Sequence, residues 1–296
     1  MKLIIFVEGK NIMEFVTLNN GVGMPKLGFG TYQILKEETE QAVKEALEVG
    51  YRLIDTAQSY GNEEEVGNAI KDSGIPREEI FITTKVWLEN YGYEKCRASV
   101  LKSLEKLQTD YIDLVLLHQP FSDYYAAYHA LEDLYKQGIV RAIGVSNFYP
   151  DRLSDIVAFN EITPQVNQIE INPLFQQEEA RANMEKNDVQ TEAWGPFREG
   201  IDDLFSNPTL QEIGSQYGKT AAQVILRWLM QRDIVTLVKS VHKERMQENF
   251  DIFNFELSEE DMNKIAEMDE KKTLFVDHQT PEAVELFYKF VEERKD

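Results

Sequence analysis

Short apolar runs alternate with longer amphipathic stretches along most of this 296-residue chain, and this alternation constrains the fold more than any other feature. The runs are rich in Ile, Val and Leu, as expected for parallel strands that are covered on both faces. They cover residues 27–31, 52–55, 81–86, 111–117, 141–145, 165–170, 190–194 and 235–238.

A stretch with helical periodicity follows each apolar run. In residues 37–49, for example, Ala42, Ala46 and Val49 recur at spacings of four and three between charged residues. Gly50 then marks the end of this helix, because glycine is favoured just past helix ends. The other predicted helices cover residues 63–71, 93–107, 124–137, 150–159, 177–186, 220–232 and 243–250.

Eight strands, each followed by a helix, predict an α/β fold of the (β/α)8 TIM-barrel type. The alternative is an open, doubly wound sheet, which binds a dinucleotide through a Gly-x-Gly-x-x-Gly turn between a strand and a helix. Gly21, Gly23, Gly28 and Gly30 do not have that spacing, and no helix begins among them. The sequence therefore favours the barrel.

An N-terminal β-hairpin is predicted before the barrel, at residues 14–26. It turns at Asn19-Asn20-Gly21, because Asn-Gly accepts the positive φ of a tight turn. Such a hairpin would cover the N-terminal mouth of the barrel. Met13 opens this strand-like run, so residues 1–12 are either part of the native chain or an extension from an upstream start.

Extra helices are predicted after the barrel, at residues 258–268 and 281–293. No linker, low-complexity tract or composition shift marks a second domain. We therefore expect a single domain over residues 1–296, with the barrel itself at about residues 27–251.

Composition and charge exclude several classes of protein. With 31 basic and 52 acidic residues the net charge is −21, which argues against nucleic acid as a partner, although a locally positive pocket can still bind a small anion. One cysteine cannot form an intramolecular disulfide. No run approaches the roughly 20 apolar residues of a membrane-spanning helix, and the start lacks a signal-peptide core. We therefore expect a cytoplasmic protein with no membrane partner.

Polar residues terminate most of the apolar runs. In a barrel, the C-terminal ends of the strands share one rim, where active sites lie. The polar residues at these ends and in the loops that follow are Asp55, Tyr60, Lys85, His118, Ser146, Asn147, Gln168, Glu170, Lys239 and Ser240.

Four of these residues form a set that suits proton transfer. The ordinary pKa of tyrosine is near 10, and an adjacent ammonium group that is held by a carboxylate lowers it. We therefore expect Tyr60 to act as a general acid that is tuned by Lys85 and Asp55, with His118 bonded to the reacting oxygen. Each residue alone is also compatible with a surface or loop role, but their joint position on one rim favours the catalytic interpretation.

Several segments, in order along the chain, resemble the signatures of the aldo-keto reductase family. The resemblance runs from about Gly21 to Met268 and is strong toward bacterial reductases of the 2,5-diketo-D-gluconate reductase type. The segments are Gly28-Phe29-Gly30-Thr31-Tyr32, Asp55-Thr56-Ala57-Gln58-Ser59-Tyr60-Gly61-Asn62-Glu63, Thr84-Lys85-Val86-Trp87, Leu117-His118-Gln119-Pro120, Gly144-Val145-Ser146-Asn147-Phe148 and Gln165-Val166-Asn167-Gln168-Ile169-Glu170.

The resemblance implies a barrel that binds NADPH or NADP+ across its C-terminal mouth. The implied reaction is hydride transfer from the nicotinamide to an aldehyde or ketone carbon, with Tyr60 protonating the oxygen. The implied cofactor residues are Ser146, Asn147 and Gln168 at the carboxamide, Trp194 stacked on the ring, Gly30, Thr31 and Tyr32 along the channel, Lys239, Ser240 and Arg245 at the 2′-phosphate, and Glu248 and Asn249 near the adenine.

The substrate pocket is less well defined by the resemblance. Trp87 is expected to wall it, with a buried core tryptophan as the alternative. The loops at residues 121–125 and 195–207 and the tail beyond Thr273 are expected to contribute. Gly195 stands where many members have serine, which removes one potential phosphate contact.

The leading hypothesis is thus an NADPH-dependent carbonyl reductase that acts on a small molecule as a monomer or weak homo-oligomer. A redox-sensing regulatory subunit that binds NADP and turns over slowly is the alternative. A metal-dependent sugar isomerase on the same barrel would require clustered Asp, Glu and His ligands. The rim offers mainly Tyr, Lys and amides, and there is no His-Glu-x-x-His pair, so we expect no metal site.

Overall fold

A small antiparallel sheet precedes the barrel in the computed structural model, which describes residues 4–7 and 11–294. Its strands pair in the order β1 (Ile4–Val7), β2 (Asn11–Thr17) and β3 (Gly23–Pro25). β2 and β3 form the predicted hairpin, whereas β1 was not predicted. The hypothesis that residues 1–12 derive from an upstream start falls partly outside the described residues.

Eight parallel strands close into a barrel, which confirms the predicted TIM-barrel fold. Each strand pairs with its neighbours in the chain, and the last pairs with the first, so that Leu237 lies opposite Gly28. The strands are β4 (Leu27–Gly30), β5 (Leu53–Asp55), β6 (Phe81–Val86), β7 (Ile112–Leu117), β8 (Val140–Ser146), β9 (Val166–Glu170), β10 (Gln190–Trp194) and β11 (Val235–Val238).

Helices cover the outside of the barrel and extend beyond it. None of the helices in the described part of the chain is long and apolar enough to cross a membrane. The helices are α1 (Lys36–Val49), α2 (Glu63–Asp72), α3 (Tyr93–Leu107), α4 (Tyr124–Lys136), α5 (Pro150–Phe159), α6 (Glu178–Lys186), α7 (Pro208–Tyr217), α8 (Ala221–Gln231), α9 (Lys243–Phe250), α10 (Glu259–Ala266) and α11 (Pro281–Glu292).

Local sequence signals explain where several of these helices begin and end. Thr220 and Gln223 form a capping box at the start of α8, which satisfies two backbone N–H groups at once. α7 was not predicted, although Asn207 caps it and Pro208 occupies its first turn. Its N-terminal neighbour is the 3-10 segment Arg198–Ser206, which lies in the loop expected after β10.

The N-terminal hairpin closes the bottom of the barrel. Val16, Leu18 and Met24 pack into one apolar cluster with interior side chains of the strands, including Leu53 and Leu114. The side chains of Asn19 and Asn20 donate to the backbone carbonyls of Pro164 and Arg141, at 3.1 and 3.0 Å. Because this mouth is closed, the opposite, C-terminal mouth is left as the place where a ligand can enter.

Candidate active site

The structure brings four predicted side chains together at the C-terminal mouth. Asp55 ends β5, Lys85 lies in β6, and His118 directly follows β7. Tyr60 ends the 3-10 turn Gln58–Tyr60 between β5 and α2. Adjacent parallel strands place their C-terminal ends side by side, so residues far apart in the chain converge here.

Lys85 is the centre of this group. Its side chain is fully buried, and its Nζ lies 2.5 Å from Asp55 Oδ1, 3.0 Å from the carbonyl oxygen of Thr56 and 3.2 Å from Tyr60 Oη. Burial lowers the pKa of Lys85, but Asp55 and Tyr60 together raise it above its ordinary value. Lys85 is therefore a permanent cation that points at the phenol of Tyr60.

Tyr60 keeps its proton at neutral pH. Burial raises the pKa of Tyr60 to about 12, and Lys85 acts in the opposite direction. The net shift is opposite to the expected one, because desolvation of the phenolate outweighs the attraction of the ammonium. The phenol is thus a proton donor rather than a phenolate in this arrangement.

His118 lies against the same phenol as an uncharged ring. Burial lowers the pKa of His118 well below its ordinary value, and the positive charge of Lys85 lowers it further. The Ser59 hydroxyl lies 3.3 Å from His118 Nδ1. The imidazole ring is 5.7 Å from the Tyr60 ring and 5.1 Å from the Trp87 ring, in edge-to-face contacts.

Two side chains that sequence reasoning did not single out fix the loop that carries Tyr60. Asn62 is buried, donates to the carbonyl oxygen of Thr31 at 3.0 Å and accepts from the Thr56 hydroxyl at 3.0 Å. Gln58 accepts a hydrogen bond from the backbone N–H of Trp87 at 3.1 Å. Both residues lie in the segment from Asp55 to Glu63 that resembles a family signature. Their position close to Tyr60 in that segment could have indicated a role in holding the loop.

Three amide or hydroxyl side chains line the mouth beside this group. Gln168 Nε2 donates to Asp55 Oδ2 at 3.0 Å and to Glu192 Oε2 at 2.9 Å. Ser146 Oγ donates to the backbone oxygen of Gln168 at 2.9 Å. Asn147 accepts a hydrogen bond from the indole N–H of Trp194 at 2.9 Å, which fixes the edge of that ring.

The predicted phosphate-binding residues lie at the start of α9. Lys239 and Arg245 are exposed, and neither takes part in an ion pair within residues 4–7 and 11–294. Lys243, two residues before Arg245, is instead paired with Glu48 at 2.5 Å. Ser240 is buried, and its hydroxyl accepts from the His242 backbone N–H at 3.0 Å.

The remaining predicted cofactor residues occupy both edges of the same mouth. Gly30 ends β4, Thr31 is buried against the backbone of Asp55, and Tyr32 is half exposed beside Tyr60, with the two rings 5.0 Å apart. Glu248 and Asn249 lie in α9, where Glu248 accepts from the Thr220 hydroxyl at 2.7 Å and Asn249 is buried.

Comparison with known proteins identifies the family. The sequence pattern of the aldo/keto reductase family matches residues 21–270. A glyoxal reductase from Bacillus subtilis is 48% identical over 257 residues, which are 86% of this chain and 92% of that protein. A methylglyoxal reductase from Escherichia coli is 41% identical over 88% of this chain and 94% of its own length.

The chain belongs to the aldo/keto reductase family. It is an oxidoreductase that acts on carbonyl groups, and the expected family membership is confirmed. An aldo-keto reductase from a Medee basin deep-sea metagenome library has the same fold, with a TM-score of 0.88 and 46% identity over 90% of this chain and 98% of that chain. A Bombyx mori aldo-keto reductase, solved in complex with NADP, gives a TM-score of 0.84 at 32% identity, over 88% of this chain and 94% of that chain.

The C-terminal tail of the reductase lies beyond the matched residues and covers one side of the site. Phe287 of α11 lies 6.1 Å from the Trp87 ring and 5.4 Å from Phe121. His278 stacks on both Phe121 and Phe287. The sequence indicated that this tail contributes, but not which of its side chains reach the mouth.

Two further residues of the tail contact tryptophan rings of the site. Phe275 contacts the Trp194 ring at 5.3 Å, and the guanidinium of Arg294 lies 5.3 Å from the centre of the Trp87 ring. Trp87 itself is buried, and its indole N–H has no partner among the described residues. The tail and Trp87 thus form an aromatic wall beside the reacting group.

A cavity of about 1030 Å³ lies beside the site, between the tail and the first turns of α5 and α6. Tyr149, Arg152, His278 and Val284 help to line it, but none of the four central residues does. The proton-transfer group therefore lies outside this cavity. Over the described residues, no three Asp, Glu, His or Cys side chains are close enough to hold a metal ion together.

Proposed function

We propose that this reductase uses NADPH to reduce small aldehydes and ketones to alcohols. The observation that carries the proposal is the contact of the buried Lys85 ammonium with both Asp55, at 2.5 Å, and the Tyr60 hydroxyl, at 3.2 Å. This contact gives the mouth of the barrel a proton donor and a cation that is fixed beside it.

Tyr60 is the general acid of the proposed reaction. NADPH, when bound, supplies the hydride that the carbonyl carbon accepts. The Tyr60 hydroxyl gives its proton to the carbonyl oxygen, and Lys85 stabilises the phenolate that remains. Asp55 holds Lys85 in place, because its Oδ1 bonds the ammonium and its Oδ2 accepts from Gln168.

His118 orients the carbonyl oxygen. It is uncharged, because its pKa is well below the ordinary value, so it does not compete with Tyr60 as an acid. In the tautomer in which Nδ1 accepts from the Ser59 hydroxyl, the ring proton lies on Nε2, from which the ring can donate to the substrate. The neutral His118 ring and the Tyr60 phenol can then both donate a hydrogen bond to the carbonyl oxygen of the substrate.

The residues around Trp194 fit a nicotinamide. The Trp194 ring is fixed at its edge by Asn147 and contacts Phe275, and it is partly exposed, so that part of the ring can stack on a nicotinamide. Gln168 uses both of its N–H groups within the protein, so its carbonyl oxygen is left to accept from a carboxamide. Ser146 lies between these amides and completes the proposed carboxamide site.

The residues at the start of α9 fit a 2′-phosphate. Lys239 and Arg245 are exposed cations without an ion-pair partner among the described residues, and Ser240 lies just before a helix N-terminus, which favours anions. Glu248 and Asn249 lie near the proposed adenine. The solved NADP complex of a relative supports this choice of cofactor.

Short 2-oxoaldehydes are the proposed first substrates. The glyoxal and methylglyoxal reductases among the relatives support this choice. The aromatic side chains of Trp87, Phe121 and Phe287 pack together beside the reacting group and suit a small carbonyl compound.

A steady-state assay of NADPH oxidation with methylglyoxal, glyoxal, nitrobenzaldehyde and diketo-sugar acids tests the proposal. We expect turnover with at least the short oxoaldehydes and a lower rate with NADH. Tight NADPH binding with negligible oxidation across the whole panel would instead favour the redox-sensing subunit.

A further inference from the structure

Glu192 is a buried carboxyl group that the proposed reaction does not use. It lies in β10 inside the barrel, fully buried, with Gln168 of β9 and Val235 of β11 as its neighbours in register. Its Oε2 accepts from Gln168, whereas its Oε1 has no hydrogen-bond partner among the described residues. Such an unsatisfied buried oxygen requires an explanation.

The Gln168 amide is held from two sides. Its Nε2 has two hydrogens, and it donates them to Asp55 Oδ2 and Glu192 Oε2 at 3.0 and 2.9 Å. A half-turn of the amide would place its carbonyl oxygen against the ionised Asp55, which offers no donor. Asp55 therefore excludes the flipped amide, and Glu192 holds the same orientation by accepting the second hydrogen of Nε2.

Only one of these two acids has a cation beside it. Asp55 is paired with Lys85 at 2.5 Å, so Asp55 carries the negative charge. Across the barrel, Glu192 faces Asp55 on β5 and Lys85 on β6. On the adjacent strands, its neighbours are the amide of Gln168 and the apolar Val235. Burial and the charge of Asp55 raise the pKa of Glu192, Gln168 and Lys85 lower it, and the net result is a pKa of about 8.

We infer that Glu192 is a positioning residue for the nicotinamide end of the cofactor, and that its charge state sets the preference between NADPH and NADP+. The inference rests on the proposed function. Glu192 acts through Gln168, whose carbonyl oxygen it keeps turned toward the carboxamide. Its loss of a proton would place a negative charge behind Gln168, at the proposed carboxamide site.

The ring of NADP+ carries a positive charge, and the ring of NADPH does not. An ionised Glu192 therefore attracts the oxidised form, while a protonated Glu192 does not distinguish the two. The pKa of Tyr60 lies near 12 and that of His118 lies well below its ordinary value, so neither group changes charge between about pH 7 and pH 9. The preference for NADP+ should consequently increase as pH rises through about 8.

Dissociation constants for NADPH and NADP+, measured on the full chain from pH 7 to pH 9.5, test this inference. We expect the ratio of the two constants to shift toward NADP+ by on the order of tenfold across this range in the wild-type protein. The phosphate groups are common to both forms, so their ionisation cancels in the ratio. Glu192→Gln should give a ratio that does not change with pH, because glutamine cannot lose a proton in this range.

Glu63→Gln is the matched control. Glu63 is as buried as Glu192, but it lies outside the barrel wall and pairs with Lys106 and Thr84. This variant should retain the pH dependence of the wild-type ratio. A ratio that is flat in the wild type, or one that still shifts in Glu192→Gln, would overturn the assignment of the charge effect to Glu192.

Glu192→Leu separates positioning from charge. It removes the acceptor for Gln168, so both cofactor forms should bind about fivefold more weakly at pH 7, as for the loss of one hydrogen bond. Wild-type affinity in this variant would overturn the positioning role. If the wild-type protein bound neither form, the proposed function itself would be contradicted, and this outcome is distinct from a flat ratio with both forms bound.

Discussion

The two ends of the proposed cofactor site differ in how fully the protein satisfies its own charged groups. At the nicotinamide end, Lys85 is fully buried and bonds to three oxygens of the protein, among them Asp55 and Tyr60. At the adenosine end, Lys239 and Arg245 are exposed and unpaired within the described residues.

This difference separates two ways of using a positive charge. A buried cation must be paired, because an isolated one costs several kcal/mol, and its fixed position makes it suitable for chemistry. An exposed cation remains hydrated until an anion arrives, so it contributes to binding and is screened by salt. The buried group should therefore determine turnover, and the exposed group should determine cofactor choice.

Tyr60→Phe should have the largest effect. Loss of a general acid lowers turnover by about 10²- to 10⁴-fold, while NADPH binding stays close to that of the wild type because the phenol does not hold the cofactor. Turnover under saturating cofactor and NADPH binding by fluorescence check this. Near-normal turnover of Tyr60→Phe would show that Tyr60 is not the general acid.

Glu192→Gln should change how stability depends on pH. In the unfolded chain Glu192 ionises near its ordinary pKa of 4.5, whereas the folded protein retains the proton to about 8. The folded wild type therefore loses stability as pH rises between these values. The variant lacks this loss, so its advantage should grow by up to about 4 kcal/mol from pH 5 to pH 8.

Thermal unfolding of both proteins at each pH measures this difference, which should level off above pH 8. A constant difference in melting temperature between pH 5 and pH 8 would show that Glu192 is already ionised in the folded protein. The contrast between a dry nicotinamide end and a hydrated adenosine end would then be weaker than the structure indicates.

Arg245→Ala should weaken NADPH binding by about ten- to a hundredfold, as for the loss of a charged hydrogen bond, and NADH binding by much less. Lys243→Ala is the control on the same helix, because Lys243 is already paired with Glu48. Titration of each variant with both cofactors checks this. Equal losses for NADPH and NADH would rule out contact with the 2′-phosphate.

Salt should have the smallest effect and should act at one end of the site. Raising the ionic strength from about 0.05 M to about 0.5 M shortens the Debye length severalfold, so the dissociation constant of NADPH should rise severalfold. Turnover at saturating NADPH should stay nearly constant, because Lys85 and Asp55 are buried. A large loss of saturated turnover would place an exposed charge in the reaction itself.

Much of the fold could be predicted because the spacing of apolar residues and the residues that end helices and form turns are local properties of the sequence. The predicted bounds of the strands at 81–86, 190–194 and 235–238 agree with those in the structure. α7 was missed because its apolar positions are few, and it packs against α8, α10 and the 3-10 segment before it. β1 was missed because it pairs with β2, and such pairing is not visible in the residues of a single short segment.

The sequence also predicts some features of the candidate site, whereas others are visible only in the structure. The convergence of Asp55, Lys85 and His118 follows from strand order, since each residue lies at, or within one residue of, the C-terminal end of its strand. The sequence does not show that Glu192 lies beneath Gln168, because that contact depends on the register of β9 and β10. The position of Phe287 was also out of reach, because it depends on how the tail folds back.

The sequence alone determined the barrel, its closing hairpin and the family, because apolar periodicity, turn residues and short motifs are written along the chain. The tertiary structure decided which groups are deprived of water and which remain hydrated. That distinction raises the pKa of Tyr60 to about 12 and that of Glu192 to about 8, while Arg245 stays exposed. Burial is a property of the assembled fold, so the chemistry of each charged group is settled only there.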